Sequence, residues 1–135
     1  MKTLLSTKYS TTSFNLALLL IRLTAGILMM NHGYQKLIHF STMKTEFMNF
    51  MGIGSTMSLA LVIFAEFFCS LFLILGLFTR LAAIPLIITM SVALFKAHNL
   101  DFFGKGELAT LYLGVFLLIL FVGAGRISVD SMTGK

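Results

Sequence analysis

Charge is what this sequence has least of. Only 11% of its 135 residues are Asp, Glu, Lys or Arg, against about 25% in soluble domains. Acidic groups are rarer still: five, against ten Lys and Arg, for a formal net charge of +5. In another chain that excess would suggest nucleic acid. Here the positive residues stand singly between apolar runs, with no basic run or stacking platform to grip a phosphate backbone, so nucleic acid is excluded as a partner. They are better placed to set topology and to meet anionic lipid headgroups. One cysteine, Cys69, rules out an intrachain disulfide and a CxxC redox centre. Within an apolar run it reads as a small buried hydrophobe. Tryptophan is absent, which leaves an interfacial aromatic belt to Tyr9, Tyr34 and Tyr112. No segment alternates apolar and polar residues, which argues against a membrane β-barrel. HxxH, HExxH and Cys/His spacings are missing, as are a Walker loop, a GxGxxG fingerprint and a haem-attachment motif. The sequence therefore predicts no metal site and no readable cofactor.

What fills the chain instead is hydrocarbon: 58% of residues are hydrophobic and the mean hydropathy is +0.97. The expected fold is an all-α integral membrane antiparallel four-helix bundle in one domain, residues 1–135. Its spans cover about 14–37, 57–78, 81–98 and 107–122, long enough or nearly so for a hydrocarbon core of about 30 Å. The N-terminus resembles a signal peptide, but Arg22 interrupts the apolar core and no small-x-small site follows Met30. It reads as an uncleaved first span. The joint at Thr79-Arg80 demands a tight hairpin, and Pro85 requires span three to start late or to bend. Residues 39–55 form the one long connection. Phe40, Met43, Phe47, Phe50 and Met51 recur there at near-helical spacing, which predicts a short interfacial helix between spans one and two. The distribution of Lys and Arg favours both termini in the cytoplasm.

Two charges sit in mid-span. Arg22 interrupts the run 14–30 and Glu66 the run 57–76. A charge at bilayer depth costs a few kcal/mol or more and is rarely left facing lipid. Helical periodicity puts Arg22, Gly26, Met29, Gly33 and Lys36 on one stripe whose small residues admit a neighbouring helix. Glu66, Ser70, Leu73, Leu77 and Arg80 form a second. Arg22 lies about 12 Å and Glu66 about 18 Å from the same edge, a difference of about 6 Å that an arginine side chain can reach across. An Arg22–Glu66 contact is therefore expected, either as an ion pair that fixes packing or as part of a ligand-binding or proton-linked interior. A second polar group is expected at the opposite end: His32, Lys36, Lys96, His98, Asp101 and Glu107. These read as a vestibule for a headgroup, a quinone ring or a small anion, or as snorkelling side chains that need no ligand.

Several strings match a known family in order. They are Leu20-Ile-Arg22-Leu-Thr-Ala-Gly26, His32-Gly33-Tyr-Gln-Lys36-Leu37, Ala65-Glu66, Leu75-Gly76-Leu-Phe-Thr79-Arg80-Leu-Ala-Ala, Ala93-Leu-Phe with His98, and Gly123-Ala-Gly125-Arg126-Ile-Ser128-Val-Asp130. On these the chain resembles the DoxX family of small four-helix bacterial membrane proteins. The terminal string departs from the family's frequent Gly-Pro-Gly-Arg-Tyr-Ser-Leu-Asp. Ala124 stands for proline, which would let span four run on, and Ile127 for tyrosine. Arg126 and Asp130 remain, able to pair across one turn or to fold back on the bundle.

The resemblance implies a bacterial inner-membrane component of a redox or sulfur/oxidative-stress system. Such a protein would have a polar interior for quinone or another small molecule and would work with soluble or membrane redox partners. A subunit of a quinone-linked oxidoreductase is open on this reading, with catalytic residues unassigned. A non-catalytic scaffold or assembly factor is the rival, and a small transporter or lipid-binding protein a weaker one. Association with further copies of the chain is left open.

Overall fold

The computed structural model describes residues 4–47, 49, 52–97, 101–104 and 106–134. Helix α1 spans Thr11–Ile38 and α2 Phe40–Met43. Helix α3 covers Ser55–Leu75, with a π-helical segment at Phe64–Cys69. Helix α4 is Thr79–Val92, continued by π-helical Ala93–Ala97. Helix α5 spans Glu107–Val122 and α6 Val129–Met132. No strand occurs among the described residues. Helices α1, α3 and α4 with its extension are long and apolar enough to cross a membrane. Helix α5, at 16 residues, is about 24 Å long.

Local chemistry sets these boundaries. The Ser10 hydroxyl accepts from Ser13 N–H and caps α1. Helix α3 ends where Gly76 turns left-handed at φ 72°. Gly76 N–H then reaches Leu73 O at 3.1 Å and Leu77 N–H reaches Phe72 O at 2.9 Å, the two bonds of a Schellman stop. Helix α4 starts at once, upstream of Pro85, and carries the proline inside it. Phe78, which precedes α4, also takes a left-handed φ of 48°, which is costly for a residue with a bulky side chain. No local side chain caps α4. Asp130 does so from the far end of the chain: Oδ1 accepts from Phe78 N–H at 2.8 Å and Oδ2 from Thr79 N–H at 2.9 Å.

Close approach fixes the packing of α1 on α3. A Cβ placed on Gly33 would lie 2.6 Å from Phe67 N, and one on Gly26 would lie 2.7 Å from Ile74 Cγ1. As numbering falls along α1 it rises along α3, so the two run antiparallel in backbone contact, as small-residue interfaces permit. Helix α4 lies along α5 in the same sense: Arg80 meets the Phe121 and Val122 carbonyls, and Leu94 meets Gly106. Leu59, Leu73, Ala83, Leu86, Phe116 and Ile119 are fully buried between the helices. Outside stand Leu20, Ile27, Leu61, Leu81, Leu111 and Phe121, each at least half exposed. Only a hydrocarbon surround makes that surface tolerable.

The expected short helix between the first two spans is present as the single turn Phe40–Met43, but among the described residues it does not extend along the rest of the connection; Phe50 and Met51 lie outside those residues. Beyond α2 the chain closes on itself through side-chain bonds, Ser55 Oγ to Lys44 O at 2.6 Å and Gly54 N–H to Asn49 Oδ1 at 2.8 Å. Gly52 and Gly54 take φ of 79° and 96°, which a continuing helix would not allow. Nor does α5 run on for want of a proline. Gly123, at φ 93°, stops it, and Arg80 holds its last carbonyls.

Two measurements check this scheme. Gly33→Leu should force α1 from α3 and lower stability by about 1–3 kcal/mol, seen as a lower unfolding midpoint in detergent. Asp130→Ala should cost about 1–2 kcal/mol through the lost cap of α4, with Asp130→Asn recovering part of it.

Candidate functional site

Arg22 and Glu66 both turn inward, at 1% and 4% exposure, but they do not meet. The Arg22 guanidinium donates to Leu73 O at 3.4 Å and, through Nη2, to Ile127 O. The Asp130 carboxylate contributes favourable charge nearby. Glu66 is held instead by Lys36, whose Nζ lies 2.9 Å from Oε1 and 2.6 Å from Oε2. The expected Arg22–Glu66 pair is thus replaced by two separate arrangements, because the helices are not flush. Gly33 sits against the backbone of Glu66 and Phe67, and Arg22 against Gly76. Residues 22 and 33 are about 16 Å apart along α1, beyond any arginine. The first turns of α1 overhang α3, and the C-terminal segment covers them: Arg126 N–H bonds Asn15 Oδ1 at 2.8 Å, and Gly125 packs on Leu18.

The C-terminal string therefore folds back. Asp130 is taken up by the N–H groups of α4 and lies near Arg22. Arg126 offers its backbone to Asn15 while its side chain is exposed. Gly76 has no room for a Cβ, which would lie 2.1 Å from Arg22 Nη1 and 2.4 Å from Ser128 Cβ.

Glu66 lies on the π-helical segment of α3. Such widened turns break the regular ladder and often mark functional positions. Its carboxylate and Lys36 share the wall of a cavity of about 300 Å³ between α3 and α4. The rest of that wall is largely apolar, including Leu61, Ile88, Met90 and Ala93, with Phe47 supplied by the connection after α2. Ser58 and Thr89 complete it. The Thr89 hydroxyl is turned to Pro85 O at 2.8 Å. Tyr112 of α5 meets His32 edge-on at 6.1 Å between ring centroids and stacks on Phe116 at 5.8 Å.

The polar group expected at the opposite end comes together only in part. Lys36 and Glu66 join, and His32 packs on Tyr112. Lys96 and Glu107 are exposed and line no part of this cavity. Asp101 is exposed in the turn before α5. His98 lies outside the described residues. Among the described residues no three His, Cys, Asp or Glu side chains converge as metal ligands would. Lys36, on the stripe of Arg22 and among the candidate polar residues, is the partner Glu66 takes. Two further participants, Tyr112 and Asn15, are not among the expected site residues. Tyr112 reads in the sequence only as a belt residue. Asn15 falls seven before Arg22, two turns away on the same face, a signal that was there to read.

The DoxX family profile matches residues 17–99. An uncharacterized protein of Haemophilus influenzae is 36% identical over 118 residues, covering 82% of this chain and 86% of the relative. An uncharacterized membrane protein of Mycobacterium tuberculosis is 30% identical over 130 residues, covering 85% of this chain and 80% of that protein. No solved structure matches. With the family profile spanning most of the chain and two relatives aligned over four-fifths of it or more, this protein belongs to the DoxX family.

Proposed function

We propose that this chain is a bacterial inner-membrane protein whose Lys36–Glu66 pair recognises the polar head of a lipophilic small molecule, such as a quinone. The observation that carries this reading is a charged pair set into the wall of an otherwise apolar cavity. An ion pair needed only for packing would be better enclosed, and an apolar replacement of similar volume would often serve as well or better. A cavity of about 300 Å³ is at the small end of ligand sites. It suits a ring with one or two oxygen acceptors facing Lys36 while the apolar remainder lies along α3 and α4. Phe47, reaching in from the connection, would cover the ring.

On this reading residues 1–135 form one domain whose four long helices make an antiparallel bundle, α5 crossing with the help of its flanking turns. Both termini face the cytoplasm, the side carrying Lys8, Arg80 and Arg126. The system served is redox, or sulfur and oxidative-stress handling. No redox group of its own is readable in the chain, so electrons would come from a bound quinol, or from a partner protein to a bound quinone. Lys36 and Glu66 would hold the quinone's polar edge, Lys36 as hydrogen-bond donor to an oxygen and Glu66 as the group placed to exchange a proton with it. Tyr112 and His32, whose rings meet edge-on, are positioning residues on this reading.

Photo-crosslinking of a quinone analogue to the purified protein in lipid discs tests this. Lys36→Met and Glu66→Gln should each weaken labelling about tenfold, the loss expected when a charge-assisted bond is removed. Ala93→Phe should abolish it by filling the cavity. Wild-type labelling in all three variants would remove quinone from the site. If soluble partners were still captured by those variants, the scaffold reading would take its place.

A further inference from the structure

A second cavity lies at the other end of the helices, where α4 begins and α5 ends. Its volume is about 350 Å³, and its wall includes Thr79, Arg80, Gly123, Ala124, Gly125 and Asp130. We propose that it binds the phosphodiester of a phospholipid headgroup.

Several donors here have no acceptor among the described residues. Thr79 is 1% exposed, and its hydroxyl has no hydrogen-bond partner among the described residues. Arg80 commits Nη2 to the Phe121 and Val122 carbonyls, which fixes the guanidinium at the rim beside Gly123. Its other N–H groups have no acceptor among the described residues, and neither do the N–H groups of Ala124 and Gly125 in the turn after α5. The positive end of the α4 dipole opens onto the same space, and the exposed side chain of Arg126 belongs to the next residue along.

Asp130 stands in the wall as well, and its presence selects among anions. Its carboxylate already accepts from the Phe78 and Thr79 N–H groups, but its charge still opposes a second negative group. A phosphodiester carries one charge, whereas a free or terminal phosphate carries about 1.5 to 2 near neutral pH. The site therefore prefers the diester. The rim points to the same source. Leu81 and Phe121, beside the cavity, are 66% and 75% exposed, on helix faces that acyl chains would cover. A headgroup seated between Arg80 and Thr79 would leave its chains along those faces, at the depth where helix ends meet the headgroup layer.

The test is native mass spectrometry of the full-length detergent-purified chain with added phosphatidylglycerol, phosphatidylethanolamine, diacylglycerol or inorganic phosphate. Wild type should retain one molecule of either phospholipid and no diacylglycerol, and excess inorganic phosphate should not displace the lipid. Arg80→Gln should lower retention about tenfold and Thr79→Val about threefold, as loss of a charged and a neutral hydrogen bond would. Lys44→Gln, on the connection beyond the far end of α1, should change nothing. Arg80→Gln also frees two carbonyls, so Thr79→Val decides the matter if that variant fails to fold. It removes a hydroxyl that no group among the described residues uses. Unchanged retention in Thr79→Val, equal retention of diacylglycerol, or displacement by inorganic phosphate would each overturn the proposal.

Discussion

A guanidinium buried at 1% exposure inside a membrane protein has to be met by oxygen, and that requirement organises this molecule. The group cannot lose its proton and cannot reach water. It takes a carbonyl from the end of α3 and another from the C-terminal segment, at Leu73 and Ile127. Meeting the second forces the chain after α5 to return across the bundle. Once there, it brings Asp130 to the start of α4, where a helix without a local cap needs an acceptor. It also brings Gly125 and the N–H of Arg126 onto the overhanging turns of α1. One desolvated cation thus ties α1, α3, α4 and the C-terminal segment together. The left-handed turn at Gly76 is part of the same device, since any side chain there would occupy the place of the guanidinium.

Glu66 answers the same requirement differently. Its cation comes from Lys36, on a long stem from the far end of α1, with its side chain 23% exposed. An ammonium on a flexible chain is a weaker and more mobile partner than a planar guanidinium clamped by carbonyls. The carboxylate also sits on a widened turn next to a cavity, where Arg22 has carbonyls on both sides. The two intramembrane charges are therefore not equivalent. Arg22 is closed off by main chain, and Glu66 faces a space that something else can enter.

That difference also separates what could be read from the residues from what could not. Helix identity, the inward stripe of Arg22, Gly26, Met29 and Gly33, and the burial of both charges follow from periodicity and from the cost of desolvation, which act within one helix. The pairing depends on how far one helix is shifted along another. That shift is fixed by the contact of Gly33 with the backbone of Glu66 and Phe67 and by the returning C-terminal segment, neither of which leaves a periodic trace. Flush ends were a reasonable assumption for short loops, and about 16 Å of overhang defeats it. The connection after α1 keeps its helix to one turn for another reason. Its apolar spacing is helix-like, but Gly52 and Gly54 sit beside it, and two positive φ angles outweigh a weak pattern.

A bundle with one closed charge and one open one can change at the open end without coming apart. The contacts of Arg22 span α1, α3 and the C-terminal segment, so they resist sliding between those helices. Glu66 sits at the Gly33 contact and Lys36 within one turn of it, near the end of α1 that leads to the connection. In the proposed binding, a ligand oxygen that competes for Lys36 would need to move only a side chain, and the π-helical segment offers Glu66 a backbone already released from the regular ladder. Rotamer changes of that kind would leave the Gly33 and Gly76 contacts intact. The frame can be rigid because its charge is fully enclosed, and the site can respond because its charge is not.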